Sequence, residues 1–365
     1  MPLIKEIIEV IEAFAPPAYQ EEYDNAALLT GNPLTQCTGA LLTLDCTEEV
    51  VEEAVQKNCE LIIAHHPVIF KGLKKLTGSN YVERTIIKAI QKGIAIYACH
   101  TNLDNVQAGV NFKIAQKLGL TGTRILAPKS GLLKRLETYV PEGHEDKVRE
   151  ALFNAGAGNV GNYDQCSFNL EGTGTFRGNE NTNPFLGESG KLSREKETKI
   201  ECIFESFKTH QVLRALFSAH PYEEVAYAVF EMQNSHSMVG SGLIGYFETA
   251  LSEYDFLNHL KSVFHLKVLK HTALTGKKIQ TVALCGGSGQ FLLKNAISSN
   301  ADAYVSADFK YHEYFDAEGK ILLADIGHFE SEQFTPEIFY EIIQKKFPKF
   351  AIHLSKTNTN PVNYF

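Results

Sequence analysis

Short apolar runs alternate with amphipathic segments along the first third of the chain. The runs have the length of buried strands, and the segments between them place apolar residues at helical spacing. The predicted strands are 40–44, 60–64 and 94–99, and the predicted helices are 3–14, one opened by Thr47, 81–91 and 108–118. Apolar strands separated by such helices are typical of a parallel sheet covered on both faces. We therefore predict an α/β domain over residues 1–130.

The last third of the chain repeats this alternation. The predicted strands are 279–285, 302–306 and 320–326, and the predicted helices are 290–298 and 336–346. The sequence Thr335-Pro336-Glu337 supports the start of the last helix, because proline is favoured in a first helical turn. We predict that residues 236–365 form a second α/β half, similar to the first, and that the two halves make one body.

The middle of the chain has a different pattern, and we predict an inserted domain over residues 131–235. Its predicted elements are a strand at 136–141, a helix at 144–155, alternating residues near 166–170, a strand at 199–206, a helix at 208–218 and a strand at 224–231. This strand–helix–strand–strand–helix–strand order is typical of a ferredoxin-like α+β domain. The polar stretch 233–241 is interpreted as the linker that returns to the second half.

The composition argues against several classes of protein. The formal net charge is −8, and no block of Lys and Arg is present, which argues against nucleic-acid binding driven by phosphate neutralisation. No window is apolar enough for a membrane span, and the first helix is too charged for a signal peptide. The seven cysteines are scattered, with no CxxC pair, as expected of reduced thiols. We expect a cytoplasmic protein.

Histidines and carboxylates follow three of the apolar runs. They are His65 and His66 after the run at 60–64, His100 and Asp104 after 94–99, and His328 and Glu332 after 320–326. Because the carboxyl ends of parallel strands meet at one edge of a sheet, these side chains are expected to converge. Imidazole and carboxylate are common ligands of divalent metals.

The number of candidate ligands indicates how many ions they hold. We predict that the metal ligands are His65, His66, Asp104, His328 and Glu332. Three histidines and two carboxylates exceed the needs of one tetrahedral zinc and suit a pair of ions bridged by a carboxylate. A donor set without thiolate fits Zn²⁺, Mn²⁺, Fe²⁺ or Co²⁺, and the sequence does not choose among them.

Several of these side chains also have structural interpretations. A single histidine after a strand is often only hydrogen-bonded, and Glu332 also suits the first turn of a helix as a favourable charge. His100 is a candidate for an outer-shell or proton-transfer role instead of a ligand. His312 follows the strand at 302–306 and is either a proton donor near the metals or a surface histidine.

A glycine-rich turn lies between a predicted strand and a predicted helix. Gly286-Gly287-Ser288-Gly289 is a candidate phosphate-binding loop, because amides at a helix N-terminus attract anions. Glycines are equally common in purely structural connections that require a positive φ. Both interpretations remain open at this point.

Together, these motifs resemble the Nif-three-like family of dinuclear metal proteins, whose members are often named GTP cyclohydrolase 1 type 2 homologues. The matching segments are Asp24-Asn25, His65-His66-Pro67, His100-Thr101-Asn102-Leu103-Asp104, Cys285-Gly286-Gly287-Ser288-Gly289, Asp308-Phe309-Lys310-Tyr311-His312 and His328-Phe329-Glu330-Ser331-Glu332. The resemblance implies two divalent ions on the same five ligands and a toroidal homohexamer. It also implies a PII/CutA-like insert, whose signature is similar to residues 218–227.

The resemblance further implies a hydrolase. In this hypothesis hydroxide attacks C8 of the guanine of GTP and formate is released, His312 or His100 transfers protons, and Lys310 holds the triphosphate. One alternative is a phosphoesterase, for which paired ions serve equally well. The other is a non-catalytic metal-binding ring that binds a partner or senses a small ligand through its insert. We expect a small-molecule, nucleotide-like substrate, with neither a membrane nor a nucleic acid as partner.

Overall fold

The computed structural model describes all 365 residues and consists of two compact units. One comprises Met1–Ala127 with Met238–Phe365, and the other comprises Pro128–Ser237. The insert predicted from the sequence covers 131–235. None of the helices combines the length and the apolar content that a membrane crossing requires.

The elements alternate along the chain much as the hydrophobic pattern predicts. The strands are β1 Leu28–Thr30, β2 Gly39–Thr43, β3 Leu61–Ala64, β4 Ala95–Ala98, β5 Thr121–Lys129, β6 Leu133–Pro141, β7 Phe168–Phe176, β8 Ser193–Glu205, β9 Tyr227–Glu231, β10 His236–Leu251, β11 Lys270–His271, β12 Ile279–Ser288, β13 Ala303–Ala307, β14 Leu322–Asp325 and β15 Ala351–Leu354. The α-helices are α1 Ile4–Phe14, α2 Glu48–Gln56, α3 Tyr81–Lys92, α4 Thr101–Asn105, α5 Val110–Leu118, α6 Glu145–Asn154, α7 Thr209–Ala219, α8 Glu253–Val263, α9 Leu293–Ser298, α10 His328–Glu332 and α11 Thr335–Lys346. Short 3₁₀ helices cover Pro17–Tyr19, Ser206–Lys208, Gln290–Leu292 and Tyr311–Ala317.

The first sheet has five strands in the order β1-β4-β3-β2-β15. Strands β2, β3, β4 and β15 are parallel, as predicted for this region, whereas β1 pairs antiparallel to β4. Every residue of β2, β3 and β4 is buried, because helices cover both faces of the sheet. Thr47 caps α2 by accepting a hydrogen bond from Val50 N, as its sequence context predicts.

The second sheet has six strands in the order β11-β14-β13-β12-β10-β5. Its centre, β12-β13-β14, is parallel, whereas β10 and β11 pair antiparallel with their neighbours. The molecule therefore has a mixed α/β architecture, and the prediction of a purely parallel sheet is wrong for β1, β10 and β11. Antiparallel strands need no crossover helix, so the helix–strand alternation does not reveal them.

Two further predictions differ from the structure. The strand predicted at 279–285 continues to Ser288, which pairs with Ala307 of β13 after a shift in register. The stretch 233–241, predicted as a linker, contains the start of β10 at His236. This strand returns directly into the second sheet, so little linker is needed.

The unit Pro128–Ser237 contains one four-stranded sheet in the order β7-β8-β6-β9. All its recorded pairings are antiparallel, and the elements follow the order β6-α6-β7-β8-α7-β9. Its own core includes Leu136, Val148, Ile200, Val212 and Leu216, all fully buried. A hydrophobic core within the unit is what independent folding requires.

We predict that the larger unit folds without the smaller one. Strands β5 and β10, which carry the chain into and out of Pro128–Ser237, are neighbours in one sheet, so a short Gly-Ser linker can join them. A variant with Pro128–Ser237 replaced in this way should be monodisperse and should bind as much metal per chain as the full protein. Size-exclusion chromatography and metal analysis check this. An aggregated product would contradict the boundary.

Candidate metal centre

The five predicted ligands lie at the carboxyl ends of strands from both sheets. His65 and His66 directly follow β3, and Asp104 lies in α4, just after β4. His328 and Glu332 are the first and last residues of α10, which follows β14. The single turn of α10 places these two side chains on the same face of the helix.

The backbone around His65 departs from regular strand pairing. His65 N donates to the carbonyl oxygens of both Thr43 and Leu44, and His66 N also donates to Leu44 O. Successive side chains on a regular strand point to opposite faces, so this change lets both rings turn to one side. The centroids of the two rings are 4.9 Å apart.

Glu332 lies at the centre of the site, and its side chain is 3% exposed. Its Oε2 is 3.0 Å from His66 Nε2 and 3.1 Å from His328 Nε2. Its Oε1 faces His65 Nε2 at 3.9 Å, and that nitrogen is 3.5 Å from Asp104 Oδ1. Glu332 therefore faces two groups of donors, one with each oxygen.

The donor atoms form clusters that could hold a metal ion. The clusters are His66, His328 and Glu332; His65, Asp104 and Glu332; and His65, His66 and His100, and within each one the donor atoms lie within 4.8 Å of one another. The structure therefore brings all five predicted ligands together, although they are separated by more than half of the chain.

The hydrogen bonding of His65 tests whether a cation fits. Its Nδ1 is 2.9 Å from the carbonyl oxygen of Cys99, which can only accept, so Nδ1 carries the proton. The lone pair of Nε2 then points towards carboxylate oxygens. His65 Nε2 and Asp104 Oδ1 are both buried without a hydrogen-bond partner. Buried acceptors facing one another are costly unless a cation lies among them, so these residues fit a divalent metal.

Three aspartates bind the outer nitrogens of histidines in the site. Asp45 accepts from His66 Nδ1 at 2.7 Å, Asp308 from His328 Nδ1 at 2.6 Å, and Asp24 from His100 Nδ1 at 2.9 Å. Such carboxylates fix the tautomer and orientation of metal-binding imidazoles. Asp45 is not among the site residues predicted from the sequence. Its position just after β2, the neighbour of β3, was the available signal.

The carboxylates also set the protonation of the rings. Burial alone would lower the pKa of His66, but hydrogen bonds to Asp45 and Glu332 outweigh it and raise the pKa to about 10. Burial likewise opposes protonation of His328, yet its bonds to Asp308 and Glu332 raise the pKa to about 11. Burial would raise the pKa of Glu332, but the bonds from His328 and His66 lower it.

Asp104 and Asp24 behave in opposite ways. Burial and the nearby charge of Glu332 raise the pKa of Asp104. Burial opposes ionisation of Asp24 too, but hydrogen bonds from His100 and Thr101 lower its pKa to about 2. Asp24 therefore stays ionised beside His100, to which it is hydrogen-bonded. Oδ1 of Asp104, in contrast, has no hydrogen-bond partner that would lower the pKa of the carboxyl group.

The two candidate proton-transfer histidines lie in different places. The ring of His100 is 5.2 Å from that of His65 and 5.4 Å from that of His66, centroid to centroid. His312 is exposed in a 3₁₀ helix, and its ring contacts are with Tyr311 and Phe315. The structure brings His100 to the candidate site and does not bring His312 there.

The glycine segment makes room for Glu332. A Cβ atom on Gly287 would lie 2.5 Å from Glu332 Oε1, and the φ of Gly287 is +60°. The amides of Gly286 and Gly287 already donate to Asn111 and Ser331, so they are not free to bind a phosphate. Gly287 therefore permits the close approach of a carboxylate, which favours the structural interpretation of Gly286-Gly287-Ser288-Gly289.

A cavity of about 440 Å³ opens onto the site. His66, His100, Asp104, His328 and Glu332 line its inner end. The aromatic side chains of Tyr23, Phe70 and Phe291 also line it and are exposed. No Lys or Arg, including Lys310, belongs to this lining. The cavity is suited to a planar ring more than to a polyanion held by cationic side chains.

Comparison with known proteins gives consistent matches over the whole chain. The family model described as Duf34/NIF3 (NGG1p interacting factor 3) matches residues 2–361. The GTP cyclohydrolase 1 type 2 homolog of Halalkalibacterium halodurans is 36% identical over 364 residues, 98% of each chain. The Bacillus subtilis protein of the same name is 35% identical over 99% of this chain and 98% of its own. A crystal structure of a Bacillus cereus protein related to NIF3 has a TM-score of 0.86 and 36% identity, covering 100% of this chain and 99% of that one.

Replacing the ring ligands should remove bound metal. We expect His66→Ala and His328→Ala each to reduce the metal content from about two ions per chain to one or fewer. Each variant lacks one of the two imidazoles that would bind the same ion as Glu332 Oε2. The matched control is His312→Ala, which removes an exposed histidine outside the cavity and should keep the full content. Metal analysis of dialysed protein measures this, and equal content in all four proteins would contradict the ligand assignment.

Metal binding should also release protons. In the metal-free protein the raised pKa values keep His66 and His328 protonated at pH 7. A metal must displace the Nε2 protons, so about two protons should leave per chain, and affinity should fall as pH falls below about 10. Calorimetry at pH 7 in two buffers with different heats of ionisation counts the protons. Binding without proton release would refute this protonation pattern.

Proposed function

The chain belongs to the Duf34/NIF3 family, and from that premise and the geometry of its candidate metal centre we propose that it is a hydrolase using two divalent metal ions. The family resemblance drawn from the sequence motifs is confirmed. The observation that carries the proposal is the position of Glu332, whose two oxygens face separate donor groups.

The division of the donors supports two ions instead of one. His66, His328 and Glu332 Oε2 would hold one ion, and His65, Asp104 and Glu332 Oε1 would hold the other. A carboxylate shared by two ions is typical of dinuclear hydrolytic centres. The metal can be Zn²⁺, Mn²⁺, Fe²⁺ or Co²⁺, since nitrogen and oxygen donors accept each of them.

When bound, such ions lower the pKa of water and stabilise developing negative charge. The protein supplies the remaining parts. His100, held by Asp24 through Nδ1, presents its other ring nitrogen near His65 and His66, where it can give or take a proton. Tyr23, Phe70 and Phe291 provide apolar surface for a planar ring.

We propose a guanine-type base as the substrate. Hydrolysis at C8 would open the imidazole ring to a formamidopyrimidine, and a second water would hydrolyse its formamide and release formate. Two relatives carry the name GTP cyclohydrolase 1 type 2 homolog, and the aromatic lining of the cavity is compatible with a purine. A phosphoesterase is the second candidate, because paired ions also bind phosphate. It is supported less well, since the amides of Gly286 and Gly287 are already occupied.

The remaining architectural expectations belong to the same proposal. We propose that the unit Pro128–Ser237 is the ferredoxin-like, PII/CutA-like insert, on the basis of its element order and the strand order β7-β8-β6-β9. The two α/β halves, 1–130 and 236–365, each contribute parallel strand ends to the site. The toroidal homohexamer stays a prediction from the family resemblance.

Turnover distinguishes the candidate functions. Protein reconstituted separately with Mn²⁺, Zn²⁺, Fe²⁺ and Co²⁺ is incubated with GTP, guanosine and p-nitrophenyl phosphate. We expect the formamidopyrimidine, or the deformylated pyrimidine and formate that a second hydrolysis gives, from GTP and from guanosine, because no cationic side chain in the cavity selects for the triphosphate. Glu332→Ala should abolish the product, and His312→Ala should preserve it.

The other outcomes separate the alternatives. Release of p-nitrophenol without formate would favour the phosphoesterase. Normal metal binding without any turnover above the Glu332→Ala level would favour a non-catalytic metal protein that senses a ligand or binds a partner.

A further inference from the structure

The segment that follows β15 contacts both halves of the candidate metal centre. Strand β15 lies beside β2, and Ser355 N extends the pairing by donating to Leu42 O. The chain then passes Glu53, which accepts hydrogen bonds from Ser355 Oγ, Lys356 N and Thr357 Oγ1. These bonds anchor the segment before it reaches the site.

The next two contacts go to opposite sides of the site. Thr359 Oγ1 donates to Asp45 Oδ2 at 2.7 Å, and the other oxygen of Asp45 accepts from His66 Nδ1 at 2.7 Å. Asn360 Nδ2 donates to Glu330 Oε1 at 3.0 Å. Glu330 lies in α10, the helix that carries His328 and Glu332.

We propose that Thr359 and Asn360 act as a clasp that holds the two ligand groups at the separation needed to share Glu332. Thr359 acts on the group from the first sheet through Asp45 and His66. Asn360 acts on the group from the second sheet through α10. Because the two residues are adjacent in the chain, neither half can move away without breaking one of the two bonds. Both are positioning residues, and neither is itself a metal donor.

The strength of the effect follows from the chain of hydrogen bonds. Asp45 uses one oxygen for Thr359 and one for His66, so loss of the hydroxyl donor frees the carboxylate to rotate. Loss of an outer partner of a metal-binding histidine typically weakens metal affinity by about 10- to 100-fold. Thr359 and Asn360 lie one step further from the donor atoms than such a partner, so we expect the lower end of this range, about 10-fold, for Thr359→Val, which keeps the branched shape but removes the donor, and for Asn360→Ala.

The test measures Zn²⁺ and Mn²⁺ affinity by competition with a chelator, in the full chain. Thr359→Val and Asn360→Ala should each bind metal about 10-fold more weakly than wild type, and Thr359→Ser should keep wild-type affinity. The double variant Thr359→Val/Asn360→Ala should lose little more than either single variant, because opening the clasp at one end already separates the halves. The matched control is Ser355→Ala, which removes a bond to Glu53 in the same segment and should leave affinity unchanged.

Each other result has a defined meaning. Unchanged affinity in Thr359→Val refutes the clasp, and so does an equal loss in Ser355→Ala, which would indicate general loosening of the segment. Losses that multiply in the double variant would show two independent contacts instead of one clasp. Thermal unfolding with chelator present should give similar midpoints for all variants, and a shared large drop refutes the positioning role. The inference rests on the proposed metal function, which fails separately if the wild-type protein binds no ion.

Discussion

Glu332 connects the two sheets, because its two carboxylate oxygens face side chains that follow strands of both sheets. One oxygen faces His66 and His328, and the other faces His65, beside Asp104. A carboxylate this deeply buried is unfavourable unless cations or donors surround it. The surrounding residues accommodate this carboxylate. The histidine rings face it, Gly287 leaves space for it, and His328 of α10 lies beside Oε2, the oxygen that also faces His66.

The outer hydrogen bonds make this arrangement specific. His66, His328 and His100 each have a carboxylate on the nitrogen that faces away from the centre, and His65 has a backbone carbonyl there. The inner nitrogens are thereby kept in one orientation. Holding the histidines in this way restricts the aspartate side chains. Thr359 stabilises one of them by donating a hydrogen bond to the second oxygen of Asp45. The site is therefore held by contacts that reach well beyond the donors.

Much of this was visible in the sequence because it depends on local pattern. The strands at 60–64 and 94–99 are continuous apolar runs, and their ends carry the histidines and Asp104, so the rule for parallel sheet edges located the site. The strands β5, β10 and β11 were missed, and the antiparallel pairing of β10 and β11 is not indicated by an alternation of strands and helices. The glycines at 286–289 were ambiguous because the same residues permit phosphate binding or close packing. The hydrogen bonds from Gly286 and Gly287 to side chains, which only the tertiary structure shows, favour close packing.

The sequence by itself determined much of the alternation of strands and helices, and it predicted a central insert at 131–235 and five candidate ligands. They follow from the spacing of hydrophobic residues along the chain and from the positions at which polar residues end the apolar runs. The tertiary structure decided which oxygen of Glu332 faces which histidine, why Asp45 matters, and why His312 stays at the surface while His100 does not. These depend on distances between residues far apart in the chain, and no local pattern encodes a distance across two sheets.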